Sequence, residues 1–381
     1  MDTFPHIQVS GGAYERGRQL GAQAGDRIAR SIEIYKQIFA HYAEWEWDQV
    51  TEHAALYHPK IEAYAPRYLE EIDGMALGSG LDPRDLLAIN VRTEVMFAAV
   101  ARQAARECTA FVALPEVTGD GHVLIAQSWD WKPEMIDTVI VLEAEQEEGP
   151  NFVTVVEAGL LAKTGFNSAG IGLATNALVS HKDVGSPGVP YHIILRAILD
   201  TETMSGALGA VLRQPRASSA NYLIAHRDGL AINVEAAPGD FSRTYLQDPE
   251  RGMFVHTNHF GAPDFDLKDV TLWNGPDSPF RRQRMRALLE KADGELTAAS
   301  AQSLFHDHVN HPFGICTHPD PRLDSAEQYA TVSAVIMDLS TSKLWISDGL
   351  PCESPFRELD YADFLDKPTG VAQPARKESP A

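Results

Sequence analysis

The chain has 381 residues, enough for one large core or two domains, and its 44% hydrophobic and 22% charged residues are ordinary for a globular protein. A formal net charge of −21 argues against nucleic acid and anionic membranes as main partners. No apolar run approaches the length of a bilayer span, the first residues lack the basic and apolar regions of a signal peptide, and three cysteines cannot build a disulfide framework, so a cytoplasmic protein is expected.

The first hundred residues read as helical. Gly12 to His41, Tyr57 to Leu77 and Pro83 to Ala105 carry apolar residues at three- and four-residue spacing. Asp82-Pro83 is a helix start, and Gly74, Gly78 and Gly80 read as the break before it. The pattern changes at Cys108. Two strands, from Thr109 and from His122, flank an Asp-Gly turn and read as a hairpin. Short strands follow at 138–142, 151–156, 160–164 and 171–174, and a helix is expected from Pro190. Strands at 222–225, 231–234 and 254–256 precede helices over 279–291 and 297–305. A last hairpin, 331–337 with 343–346, leads to a tail that is expected to be disordered from Lys367. The class is α+β, with helices packed on antiparallel sheet.

Cys108 is the leading candidate nucleophile, although a small buried hydrophobe at a strand start is the other reading. A hairpin centred near Gly119 sets Cys108 opposite Asp130, which lies between Trp129 and Trp131 and is either a turn cap or an acid/base or positioning group. Asn258, after Val255-His-Thr, is a turn residue or an amide donor for an oxyanion. His256 and His259 flank it as possible bases for a Cys–His dyad. The run His306 to His318 matches no standard zinc spacing and reads as a loop with scattered histidines, so no metal is expected. Arg281, Arg282, Arg284 and Arg286 read as a solvated helix face, the best local exception to the acidic background.

Asn90-Val-Arg-Thr-Glu94, Cys108-Thr-Ala-Phe, Gln127-Ser-Trp-Asp130, Glu157-Ala-Gly, Lys163-Thr-Gly-Phe-Asn-Ser-Ala-Gly170, Gly188-Val-Pro190 and Val255-His-Thr-Asn-His259 form an ordered set. With them the chain resembles the acyl-coenzyme A:6-aminopenicillanate acyltransferase (penicillin acyltransferase-like) family of N-terminal nucleophile hydrolases. The resemblance implies a four-layer αββα sandwich with an N-terminal helical segment, and a precursor that cuts itself between Glu107 and Cys108. Residues 1–107 would form a small chain, 108–366 the catalytic large chain associated with it, and 367–381 the tail. Carried over by position, Cys108 is the nucleophile, Asp130 the neighbouring carboxylate and Asn258 the oxyanion amide. Two departures stand out: Glu107 replaces a glycine found in the penicillin-forming member, and Gln328-Tyr-Ala-Thr331 lacks the arginine that the family places there.

The function implied is an N-terminal cysteine amidohydrolase or acyltransferase acting on small acyl amides, peptides or thioesters. No cofactor is expected beyond acyl-coenzyme A as a co-substrate, whose phosphates the helix from Arg281 would receive. The alternatives are an acyl-coenzyme A-dependent N-acyltransferase, a cysteine enzyme that works uncleaved, and an unprocessed binding protein.

Overall fold

The computed structural model describes residues 3–100, 108–262 and 267–366. Glu107, the end of the helix read to Ala105 and the tail from Lys367 therefore lie outside the described residues. A strand β1 (His6–Gly11), not legible in the sequence, precedes helices α1 (Ala13–Ala43), α2 (Trp47–Ala54), α3 (His58–Tyr64), α4 (Arg67–Ser79), α5 (Pro83–Asn90) and α6 (Arg92–Ala99). Then come β2 (Thr109–Ala113), β3 (Leu124–Trp131), β4 (Val139–Gln146), β5 (Phe152–Glu157), β6 (Thr164–Asn167) and β7 (Ile171–Ala177). After α7 (Tyr191–Leu199) and α8 (Met204–Leu212) follow β8 (Ala220–His226), β9 (Leu230–Ala236), β10 (Thr244–Gln247) and β11 (Met253–His256). The chain continues through α9 (Thr271–Asn274), α10 (Ser278–Lys291), α11 (Ala298–Ala301), β12 (Ala330–Asp338), β13 (Lys343–Ser347), β14 (Phe356–Asp360) and α12 (Ala362–Leu365).

The strands form an eight-stranded sheet, β1-β4-β5-β6-β7-β8-β9-β10, and a six-stranded sheet, β11-β2-β3-β12-β13-β14. Only the β1–β4 pair is parallel among the described ladders; the rest are antiparallel. Side-chain alternation explains the layering. On β2, Ala110 and Val112 enter the core between the sheets, while Phe111 and Ala113 join Met285 and Leu289 of α10 on the outer face. Helices α1, α7 and α8 cover the larger sheet, and α10 and α11 the smaller one. This is the αββα sandwich with an N-terminal helical segment that the resemblance implies.

Gln127 links the two sheets from inside. Its side-chain amide donates to the Thr175 carbonyl at 2.7 Å, and its oxygen accepts from the Thr164 hydroxyl at 2.6 Å and the Thr175 amide at 2.8 Å. A buried amide with its groups satisfied fixes the stacking of β3 on β6 and β7 more specifically than apolar contact alone. Helix α7 is buried along its whole length, and its Arg196 reaches Glu71 at 2.8 Å, Gln146 at 2.9 Å and Asp200 at 3.0 Å, joining α4, β4 and α7. No helix among the described residues is long and apolar enough to cross a membrane.

The glycines read as a break before Asp82 divide into two kinds. Gly80 does end α4, with a left-handed φ of 72°. Gly74 and Gly78 lie inside α4 and face Gly17 and Gly21 of α1. A Cβ on Gly74 would meet the Tyr14 carbonyl oxygen at 2.1 Å, and one on Gly21 the Met75 carbonyl oxygen at 2.2 Å. The backbones touch, so the glycines are there for helix contact. A Cβ on Gly25, one turn further along α1, meets nothing closer than 3.6 Å. Gly21→Ala should therefore destabilise the protein by about 1–3 kcal/mol or more, while Gly25→Ala should be neutral or stabilising, as read by the urea midpoint of each variant.

Candidate active site

Strand β2 runs between β11 and β3, and Cys108 stands at its entrance. Its backbone is left-handed, with φ at 65°. For a non-glycine residue that conformation costs roughly 1–2 kcal/mol and persists only when neighbours enforce it. Here they do. The Cys108 carbonyl accepts hydrogen bonds from the Asn176 side-chain amide and the Arg281 guanidinium, each at 3.0 Å. The next residue is held as well, since the Thr109 amide donates to the Ser128 hydroxyl at 3.1 Å. Cys108 itself is buried in the core cluster that includes Trp129 and Trp131.

The ladders show what flanks this position. β2 pairs Thr109 with Ser128, so the place opposite Cys108 on β3 is that of Trp129. The sequence reading set Asp130 there; the true register is one residue off, and Asp130 lies on the face that carries Thr109 and Ser128. The ladder is centred between Thr118 and Gly119 rather than on Gly119, which moves every pair by one residue; these two turn residues also contact Leu296. On the other side β11 pairs His256 with Ala110 and ends there; Asn258, two residues further on, is tied to Cys108 through Arg281, which bonds the side-chain oxygen of the one and the carbonyl of the other.

Asp130 is buried and accepts the Thr331 hydroxyl at 2.6 Å. Burial pushes its carboxyl up to about 6, against the opposing pull of the Arg281 charge and of hydrogen bonds from Thr331 and Thr317. Asn258 is fixed at every polar atom of its side chain. Its oxygen accepts from Arg281 at 2.9 Å, and its NH2 donates to the Ala177 carbonyl at 3.1 Å. Its backbone amide donates to the Ser278 hydroxyl at 2.8 Å.

Arg281 is thus a hub rather than part of a solvated face. It also bonds the Thr109 hydroxyl at 3.1 Å and the Asp277 carboxylate at 2.8 Å. Fully engaged and buried, it is not placed to receive a coenzyme's phosphates, and Arg284 and Arg286 are paired with Asp307, Glu250 and Glu290. Asn176 was missed because the expected strand stopped at Ala174. Its signal was a buried polar pair, Thr175-Asn176, continuing an apolar strand, and the Asn221 amide at 3.1 Å from its oxygen sets its orientation. The two histidines beside Asn258 are occupied elsewhere: His256 with Glu235 at 2.9 Å, and His259 with Ser278 at 2.8 Å. Burial holds His259 down at about 4.

A narrow cleft, partly open to solvent, adjoins these residues through Trp131 and Ala177. Tyr35, Phe39, Tyr42, Tyr191 and Tyr329 line it, together with Arg92, Lys132 and Lys163. The cations lie against aromatic faces: Lys163 is 3.7 Å from the Trp129 ring centre, Lys132 is 3.9 Å from that of Tyr329, and Arg92 is 4.8 Å from that of Tyr35. In a chain of net charge −21, this cleft is a local basic and aromatic exception. Gln328, in the place of the family arginine, donates to the Leu323 carbonyl at 3.1 Å, and its neighbour Tyr329 supplies the cleft wall.

The family described as Acyl-coenzyme A:6-aminopenicillanic acid acyl-transferase matches residues 117–351, well over half of the chain. The chain is 28% identical over 315 residues to the 40 kDa form of acyl-coenzyme A:6-aminopenicillanic-acid-acyltransferase from Emericella nidulans, which covers 82% of this chain and 84% of that one. An uncharacterized protein from Archaeoglobus fulgidus is 29% identical over 390 aligned positions, covering 90% of this chain and 63% of that longer one. Among solved structures, a mutant conjugated bile acid hydrolase from Clostridium perfringens superposes with a TM-score of 0.44 at 14% identity, over 68% of this chain and 94% of the other.

Two measurements test this wiring. Arg281→Ala leaves the Asp277 carboxylate buried without its partner, so it should cost about 3–5 kcal/mol in urea unfolding. Glu94, whose Oε1 accepts from the Tyr191 amide and the Ser218 hydroxyl behind the cleft, is pushed by burial from its ordinary 4.5 up to about 7. A raised carboxyl contributes its stability below the ordinary value and loses it as the pH rises through the folded value. The wild type should therefore lose up to about 3 kcal/mol relative to Glu94→Gln between pH 5 and pH 8, read from paired unfolding curves.

Proposed function

The chain belongs to the acyl-coenzyme A:6-aminopenicillanic acid acyl-transferase family, and from that premise we propose that it is an enzyme acting on acyl amides through the Cys108 thiol. The observation that carries the proposal is the enforced left-handed backbone of Cys108, whose carbonyl is gripped by Asn176 and Arg281 beside an aromatic cleft. A merely structural cysteine needs no such grip.

In the proposed maturation the Cys108 thiol attacks the carbonyl carbon of Glu107. The peptide nitrogen leaves with a proton as the new α-amine, and water hydrolyses the resulting thioester, leaving Glu107 as a carboxylate. An α-amine titrates near ~8 and a thiol near ~8.5, so the two exchange a proton close to neutrality and no histidine is required. That fits the engagement of His256 with Glu235 and of His259 with Ser278.

In turnover the thiolate adds to the substrate amide carbonyl. The Asn258 side-chain NH2, tied to Cys108 through their shared partner Arg281, is the proposed donor to the tetrahedral oxyanion. The α-ammonium returns a proton to the departing amine, and water or a second amine takes the acyl group from sulfur. An acyl-coenzyme A donor would load the same thioenzyme. The aromatic walls favour a substrate with an apolar acyl or amine part.

Purified protein and its Cys108→Ala variant, compared on a denaturing gel with N-terminal mass analysis, test the reading. Two fragments for the wild type, the larger starting at Cys108, and one intact chain for the variant are expected. Release of amine from a panel of acyl amides should fall at least about 1000-fold in the variant, the scale on which loss of a covalent nucleophile acts. Intact wild type that turns over the panel as fast as Cys108→Ala would overturn it.

A further inference from the structure

The loop read as scattered histidines is gathered in space. His308 and His318, with Cys316 between them in sequence, meet Cys352, which comes from the turn between β13 and β14. The four ligand atoms, two Nε2 and two Sγ, all lie within 4.8 Å of one another. The separations are 3.0 Å between His308 and His318, 3.4 Å from Cys352 to His318, 3.7 Å from Cys316 to His318 and 3.6 Å between the sulfurs.

Hydrogen bonds alone do not account for this arrangement. An imidazole nitrogen carries either one proton or one lone pair. Yet His318 Nε2 faces three polar atoms at once, one nitrogen and two sulfurs. A disulfide does not account for it either, since the sulfurs stand well beyond the bonded distance of about 2.0 Å. A tetrahedral ion does. With zinc bonds of about 2.3 Å to sulfur and about 2.0–2.1 Å to nitrogen, the edges of the tetrahedron are about 3.8 Å between sulfurs, about 3.6 Å from sulfur to nitrogen and about 3.4 Å between nitrogens. The four separations above fall within about 0.4 Å of that pattern, and the two remaining edges, from His308 to the sulfurs, are no longer than 4.8 Å.

We propose that His308, Cys316, His318 and Cys352 form a tetrahedral zinc site that fastens the 306–318 loop to the turn after β13. Binding releases the two thiol protons, so the ion is held by two thiolates and two neutral imidazoles. Four protein ligands leave no open position, which makes the site structural rather than catalytic. It lies outside the cleft, yet it reaches the active-site region through one residue. Thr317, between two of the ligands, receives no slack: its amide donates to the Thr331 hydroxyl at 2.9 Å, and that hydroxyl donates to Asp130 at 2.6 Å. The ion thereby anchors the loop that backs the Asp130 carboxylate.

The test uses full-length protein, produced in zinc-supplemented medium and dialysed against metal-free buffer. Elemental analysis should find about one zinc per chain, the stoichiometry of a single closed site. Exchange for cobalt(II) should give the visible bands of a tetrahedral ion and a thiolate-to-cobalt charge-transfer band. Cys352→Ser should weaken that band and lose the metal on dialysis. His308→Ala, at an exposed position with little risk to folding, should retain thiolate charge transfer but bind more weakly. Chelation should lower the melting temperature of the wild type and leave that of Cys352→Ser unchanged. Folded wild type without stoichiometric metal or a cobalt spectrum would overturn the proposal. So would a metal content untouched by both substitutions, or a Cys316–Cys352 disulfide that persists in protein isolated in the presence of a thiol reductant.

Discussion

A single buried guanidinium, that of Arg281, holds the candidate site in one piece. It projects from α10 through the outer layer of the sandwich and meets the Cys108 carbonyl, the Thr109 hydroxyl, the Asn258 oxygen and the Asp277 carboxylate. A buried cation is tolerable only with compensation of this kind, and the planar fork of arginine can make several such bonds at fixed angles where lysine cannot. Because the partners come from the entrance of β2, from the segment after β11 and from the N-cap of α10, no one element can move without breaking the set. The left-handed turn at Cys108 follows from that grip.

The two sheets meet this hub from opposite sides. Asn176 reaches across from β7 of the larger sheet, and Gln127 bonds in the reverse direction from β3 to Thr164 and Thr175. The relative placement of the sheets, set by polar contacts within a largely apolar core, therefore also sets the distance between Asn176 and the entrance of β2. The aromatic cleft sits at this seam, between the sandwich and the helices of the first hundred residues, which contribute Tyr35, Phe39 and Arg92. Its basic lining is a product of tertiary structure: Arg92, Lys132 and Lys163 are far apart in sequence and belong to different segments.

Much of the layout was legible where a local signal decides it. The strand at Thr109, the closing hairpin near Thr331 and the helix from Pro279 each combine a clear period with Gly, Asp or Pro at the ends, and each is close to where the sequence put it. The elements that escaped depend on distant partners. β1 pairs with β4 more than a hundred residues away, and β10 and β14 are edge strands with weak patterns of their own. Gly74 and Gly78 looked like breakers because local sequence cannot distinguish a turn glycine from one that lets two helices touch. At the site, Cys108 and Asn258 stood out by motif, and one guanidinium, that of Arg281, bonds both. Asp130 is one register step away because the ladder is centred between Thr118 and Gly119, a half-residue offset that turn signals alone do not fix. Asn176, Arg281 and the approach of Cys352 to the histidine loop depend on three-dimensional placement that no spacing rule contains.

The pairing of β1 with β4 gives a polypeptide severed ahead of Cys108 an unusual physical status. One strand of the eight-stranded sheet would then belong to a separate molecule, locked in by six paired residues, by the hydrogen bond that the Phe4 backbone amide donates to the Asp348 carboxylate and by the apolar side of α1. Translation of a single message would deliver the halves in equal number and already assembled, so their union would never depend on concentration. Its persistence would be a matter of escape rate rather than affinity, because separation requires unzipping a ladder and stripping a helix in one event. A large fragment that did lose its companion would expose the bare edge of β4, an invitation to non-native strand pairing.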